Sequence, residues 1–157
     1  MWGFSLNIRV SIVAPRRISH PNLDTLPSIE GRNRRFLHGC SRWSKIRLHG
    51  IDTPERKQPF GTRARQFASE LTFQQTVTVR VRDTDRYGRL VAKVILPDGR
   101  SLNRELVTAG MAWWYRQYAK DDTTLAKLEA EARSAKRGLW SDPHAVAPWT
   151  WRKQGKR

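Results

Sequence analysis

Arg47-Leu48-His49-Gly50-Ile51-Asp52-Thr53-Pro54-Glu55 is the stretch on which the reading of this chain turns. From Lys45 to Ile51, apolar Ile46, Leu48 and (after Gly50) Ile51 alternate with polar Lys45, Arg47 and His49. A two-residue period marks a half-buried strand. It places Arg47 and His49 on the polar side, with His49 expected at the surface. Pro54 restricts Thr53 to an extended conformation and stops the strand. A second reading makes Asp52-Thr53-Pro54-Glu55 a helix start, with Thr53 as cap, Pro54 in the first turn and Glu55 favouring the helix dipole.

Working outward, Ala64, Phe67, Ala68 and Leu71 recur at helical spacing and predict an amphipathic helix over 59–71. Thr76 to Arg82 alternates strictly, with Val77, Val79 and Val81 on one face. Arg89 to Leu96 is a second, more buried strand, joined to the first by the polar loop Asp83-Thr84-Asp85-Arg86-Tyr87-Gly88. After the Pro97-Asp98-Gly99 turn, Leu102, Leu106 and Val107 share one side of a short helix ending near Gly110. Leu125, Leu128, Ala132 and Ala135 form the inner face of the longest helix, over 122–137, with Gly138 expected at its C′ position.

Toward the N-terminus the sequence changes character near residue 45. Pro15, Pro21 and Pro27, Arg16-Arg17 and Arg32-Asn33-Arg34-Arg35 lie in a stretch with little periodicity. The expected organisation is a divergent or poorly ordered segment over 1–44, open to contributing the first strands. A domain over 45–153 and a basic tail over 154–157 follow it. The order strands, helix, hairpin, helix, helix suggests an α+β, mainly β class. An OB-type five-stranded barrel with about three flanking helices is the expected architecture.

The chain has 157 residues, enough for one domain with a real core. Its 30 Lys and Arg against 14 Asp and Glu give a formal net charge of +16, which calls for a polyanionic partner. Nucleic acid ranks above an anionic membrane surface, and no apolar run reaches the roughly 20 residues of a membrane span. A single cysteine, Cys40, excludes an internal disulfide and a Cys-based zinc site. Met1 to His20 lacks the basic start, continuous apolar run and small-residue cleavage site of a signal peptide, and the compartment is left open. A monomer is expected.

Arg47, Asp52 and Glu55 fall within nine residues, across a strand end and its loop, where reactive groups are commonly held. Two carboxylates three apart can hold a hard cation through one and activate water through the other. Arg47 and, on another strand, Arg89 can grip phosphate oxygens. Together they offer what in-line attack on a phosphodiester needs, although Arg beside Asp or Glu more often forms a surface salt bridge. The seven tryptophans offer base stacking or packing, and packing is the expectation for Trp140 and Trp149. Arg152, Lys153, Lys156 and Arg157 read as a solvated, phosphate-attracting end.

The Arg47–Glu55 stretch also resembles the signature of staphylococcal-nuclease-like domains. So do Asp85-Arg86-Tyr87-Gly88-Arg89, Gly110-Met111-Ala112-Trp113 through Tyr118, and Glu129-Ala130-Glu131-Ala132-Arg133 through Gly138-Leu139-Trp140. The closing Pro148-Trp149-Thr150-Trp151-Arg152-Lys153 is similar to bacterial members. The resemblance implies an OB-type barrel and calcium-dependent hydrolysis of DNA and RNA with little sequence preference. It implies that Asp52 and the Thr53 backbone carbonyl are calcium ligands and that Glu55 is the general base. Arg47 and Arg89 would be phosphate clamps, with Tyr87 and Tyr118 on the substrate.

One departure stands out. The family's early Asp-Gly-Asp-Thr motif, which supplies a second calcium carboxylate, is absent. Asp24-Thr25 is the only Asp-Thr before residue 45. Asp24 is either that ligand, reached through an extended hairpin, or an ordinary turn residue before Pro27. The alternative function is a non-catalytic nucleic-acid-binding module that has lost part of its metal site.

Overall fold

The computed structural model describes residues 6–9 and 43–155, with side chains over 45–155. The strands are β1 (Leu6–Arg9), β2 (Trp43–Leu48), β3 (Ile51–Asp52), β4 (Thr78–Thr84), β5 (Leu90–Ile95) and β6 (Trp113–Trp114). The helices are α1 (Gly61–Thr72), α2 (Leu102–Thr108), α3 (Thr123–Ser134) and α4 (Pro148–Gln154), with a 3-10 turn over Gly138–Ser141. Four strands form one sheet in the order β1-β2-β5-β4, and β3 pairs with β6 apart from it. The α+β class stands. Among the described residues the sheet is open rather than a closed five-stranded barrel, and four helices flank it instead of about three. No described helix is long and apolar enough to cross a membrane.

The core lies between the sheet and the helices. Ile46, Ala92, Val94, Leu102, Leu106 and Val107 are fully buried there. β2 and β5 run parallel, with Ile46 opposite Leu90 and Arg47 opposite Val91. A parallel neighbour requires a long crossover, and β3, α1 and β4 provide it. Asn103 of α2 ties this pair from beneath. Its Oδ1 accepts from the Val94 amide at 3.1 Å, and its Nδ2 donates to the His49 carbonyl at 2.9 Å.

Several expectations are corrected. The strand expected over 45–51 is broken at the turn His49-Gly50, where Gly50 adopts φ 77°, and the chain re-enters as β3 against β6. The broken alternation turns His49 inward: it is buried, not at the surface. Thr53 and Pro54 are buried non-helical residues, so the helix-start reading of Asp52–Glu55 fails; α1 begins at Gly61. Val81 is exposed because the β4–β5 register shifts between Val81 and Asp83. Helix α3 starts where expected, with the Asp122 side chain accepting from the Leu125 amide at 3.2 Å, but stops at Ser134. Lys136, not Gly138, takes the first left-handed position after it, at φ 50°.

Candidate active site

Asp52 sits at the end of β3, held by its backbone pairing with Trp113 of β6. Glu129 of α3, itself buried, accepts from the next amide on β6, Trp114, at 3.3 Å. Three residues past Asp52, Glu55 lies in a tight loop. The Glu55 amide donates to Gln58 Oε1 at 3.1 Å, and its carbonyl accepts from the Gln58 amide at 2.9 Å. Gly61 passes so close to the Glu55 carbonyl that a Cβ there would collide with it. The loop is therefore fixed from both ends, and both carboxylates are largely buried, at 8% and 14% side-chain exposure.

The cation that compensates them comes from the far end of the chain. Arg152 of α4 donates through Nη2 to Asp52 Oδ2 at 2.5 Å and through Nη1 to Glu55 Oε1 at 2.7 Å. Nη1 also lies 3.4 Å from Asp52 Oδ1. Burial works against the Arg152 charge, yet its hydrogen bonds to Asp52 and Glu55 and their charges outweigh burial and raise its pKa further. The expectation of a solvated Arg152 is thus overturned; Lys153 is exposed, and Lys156 and Arg157 lie outside the described residues. Helix α4 is docked for this contact. Buried Pro148 opens it, Gln58 Nε2 donates to the Val146 carbonyl just before it, and Trp149 stacks on Tyr115 with centroids 5.1 Å apart.

Beside the carboxylates lies a cleft of about 330 Å³ with Arg47, His49, Arg82, Asp85, Tyr115 and Tyr118 in its walls. Arg47 packs over the Tyr118 ring at 5.2 Å, which brings these two expected site residues together. Tyr115 links cleft and carboxylates: burial foremost, and then the charge of Asp52, raise the pKa of its phenol. Arg89 immediately precedes β5. It is buried, and its Nε donates to Asp85 Oδ2 at 2.6 Å. Burial acts to raise the Asp85 pKa, but hydrogen bonds from Arg89 and from the Arg89 and Tyr87 amides hold its carboxyl below the usual range. Tyr87 is exposed, with Arg89 5.5 Å from its ring centroid. The Nδ1 of His49 is buried with no hydrogen-bond partner among the described residues, and burial foremost, helped by Arg82 and Lys93, lowers its pKa.

The described residues thus bring Asp52 and Glu55 together on either side of Thr53, with Arg47 and Tyr118 in the adjacent cleft; Arg89 reaches that cleft through Asp85, and Tyr87 lies beside Arg89. Asp24 lies outside the described residues. No group of three His, Cys, Asp or Glu suited to a metal occurs among the described residues. Four contributors were not expected: Arg152, Tyr115, Gln58 and Asn103. Only Arg152 left a usable signal, since Pro148 at a first helical turn and the Trp149/Arg152 spacing mark an ordered helix face.

A small, strongly basic α+β domain with two arginines and a buried carboxylate pair beside an aromatic cleft belongs to a recognisable class. The family model described as "Staphylococcal nuclease homologue" matches residues 45–142, and the chain belongs to that family. Among similar proteins is a "Micrococcal nuclease" of Shigella flexneri, 45% identical over 121 residues, covering 71% of this chain and 70% of that one. An "Uncharacterized endonuclease" of Escherichia coli O157:H7 is 47% identical over 108 residues, 69% of this chain and 70% of the relative. "Protein ParB" of Escherichia coli is 44% identical over 119 residues, 70% and 67% of the two chains.

Proposed function

We propose that the protein is a calcium-dependent nuclease that hydrolyses phosphodiester bonds in DNA and RNA with little sequence preference, acting as a monomer. The observation that carries this reading is the convergence of Asp52 and Glu55 on one cationic atom, Arg152 Nη1. Two buried carboxylates that a single positive centre can touch at once have the donor chemistry of a hard-cation site. Asp52 and the Thr53 carbonyl would hold calcium, with Asp24 as the candidate second carboxylate. The bound ion would supply charge to offset the anionic phosphate.

In this reading Glu55 accepts the proton of the attacking water. Its loop fixes the carboxylate through Gln58 and the close passage of Gly61. Arg47, at the mouth of the cleft, pairs with non-bridging phosphate oxygens. Arg89 does the same through its Nη atoms, because Asp85 engages Nε and sets the plane of the guanidinium. Fixed cations at these oxygens favour the transition state, where negative charge is greatest. Tyr118 and Tyr87 line the path of the substrate, and the +16 net charge draws a polyanion toward it. A closed OB-type barrel over 45–153, completed by the early part of the chain, belongs to the same reading.

The test is hydrolysis of single-stranded DNA with calcium and its arrest by chelator. Glu55→Gln keeps the shape and removes the base, and should lower kcat by at least about 100-fold. An unchanged rate would refute the assignment of Glu55. Binding of DNA without cleavage at any calcium level would favour the non-catalytic module.

A further inference from the structure

We propose that Arg152 is a resident counter-cation of the Asp52/Glu55 pair, a positioning residue that competes directly with a divalent ion for those carboxylates. This rests on the proposed cation site and adds its regulation by the chain itself. The guanidinium engages three of the four carboxylate oxygens. Buried carboxylates without a compensating charge are strongly unfavourable, and no other salt bridge reaches either one among the described residues. Arg152 must therefore withdraw at least in part from Asp52 before that carboxylate can turn to a divalent cation, since the guanidinium already engages both of its oxygens and repels a second positive charge beside it.

The contact is built into the fold. Gln58 joins the Glu55 loop to Val146, two residues before α4, and Trp149 on Tyr115 fixes the helix beside the cleft. Arg152 thus cannot drift away when its partners are taken. It moves by its own side-chain torsions while Pro148 stays buried. In the cation-free protein it preserves the spacing of the two carboxylates, and in the loaded protein its charge is released next to them.

The experiment measures terbium binding by luminescence sensitised through Trp113, the backbone partner of Asp52. It compares wild type, Arg152→Gln, Arg152→Lys and Asp52→Asn, with calcium as competitor. Arg152→Gln should bind terbium on the order of tenfold or more tightly, because a positive charge beside the ion has been removed. Arg152→Lys should stay near wild type, and Asp52→Asn should lose the site. Equal or weaker binding by a folded Arg152→Gln overturns the proposal, while calcium-dependent cleavage by wild type leaves the function standing. If neither wild type nor Arg152→Gln binds terbium at Asp52, and neither cuts DNA, both readings fall. A measurement on the unaltered protein guards against misfolding of the variant. The Arg152 Nε–Hε resonance, assigned through Arg152→Lys, should shift on calcium addition, and an unmoved resonance while terbium or calcium binds overturns the proposal.

Discussion

Asn103→Ala tests how the fold aims the site. Asn103 is 2% exposed, and its amide spans the gap between α2 and the junction of β2 with β5. Truncation removes three hydrogen bonds: from the Val94 amide, to the His49 carbonyl and to the Ala92 carbonyl. The Ala92 carbonyl keeps a donor, the His49 amide at 2.8 Å. Two buried backbone groups are left without this partner, at a cost of about 1–3 kcal/mol each, so the expected destabilisation is about 3 kcal/mol. For a chain of this size that lowers Tm by about 6–12 °C. Urea unfolding followed by tryptophan fluorescence gives the free energy and shows through the m-value whether the native state has changed. Asn103→Asp separates hydrogen bonding from volume. It retains an acceptor for Val94 but sets a carboxylate oxygen against the His49 carbonyl, and should cost at least as much as the alanine. A loss below about 1 kcal/mol for both variants would refute the reasoning. It would mean that the turn at His49-Gly50, and hence the aim of Asp52, is held by other contacts.

Gly61→Ala forces a Cβ into the Glu55 carbonyl, so it should lower kcat about tenfold or more, and Arg65→Ala on the exposed side of α1 should not. Asp85→Asn removes the charge that orients Arg89 and should raise KM for DNA several-fold; an unchanged KM would show that Arg89 needs no such guide. The Asp85 contribution to stability is present above the ordinary carboxylate pKa and is lost as pH falls through its lower folded value. His49 has its folded pKa below the ordinary 6.5, so on acidification the unfolded chain takes the proton first. Stability should therefore decline as pH drops below about 6.5, and His49→Gln should flatten that slope in urea titrations at pH 7 and pH 5.

How much of this was legible in the sequence depended on the range of the interaction. Alternation found β4 and β5 because Val77, Val79, Ala92 and Val94 all face one core. It missed the break after Leu48, although Ile51 falls one residue out of phase with Ile46 and Leu48 and belongs to another ladder. β6 is two residues long, and two residues have no period. The helix-start reading of Thr53-Pro54 failed because the residues that follow are committed to the Gln58 loop, a contact no local propensity encodes. At the site, Asp52 and Glu55 were legible as near neighbours in sequence. Arg152, 100 residues from Asp52, was counted as tail because a cluster of Lys and Arg at a chain end is ordinarily solvated. Pro148 and the Trp149/Arg152 spacing marked an ordered helix face, but they did not show that two anions 100 and 97 residues away needed the Arg152 charge.

That need follows from the charge distribution. A chain of net charge +16 gathers polyanions, but the same field opposes a divalent cation approaching through solvent. Local negative potential must therefore be concentrated where a cation is to bind, and burial of Asp52 and Glu55 concentrates it by excluding water and screening ions. The concentration carries a penalty whenever no cation is present, and Arg152 offsets it at a site whose other nearby arginines, Arg47 and Arg89, are committed to Tyr118 and Asp85. A phosphate entering the cleft changes the balance again. Its charge can take up a guanidinium that has left the carboxylates, whereas a neutral ligand cannot. Cation and nucleic acid should accordingly bind with positive coupling, each tightening the other by the same factor. Arg152→Gln should reduce that coupling even as it tightens the cation alone. Measuring terbium affinity with and without a non-cleavable oligonucleotide resolves the two effects. Equal coupling in wild type and variant would mean that the released guanidinium never meets the phosphate.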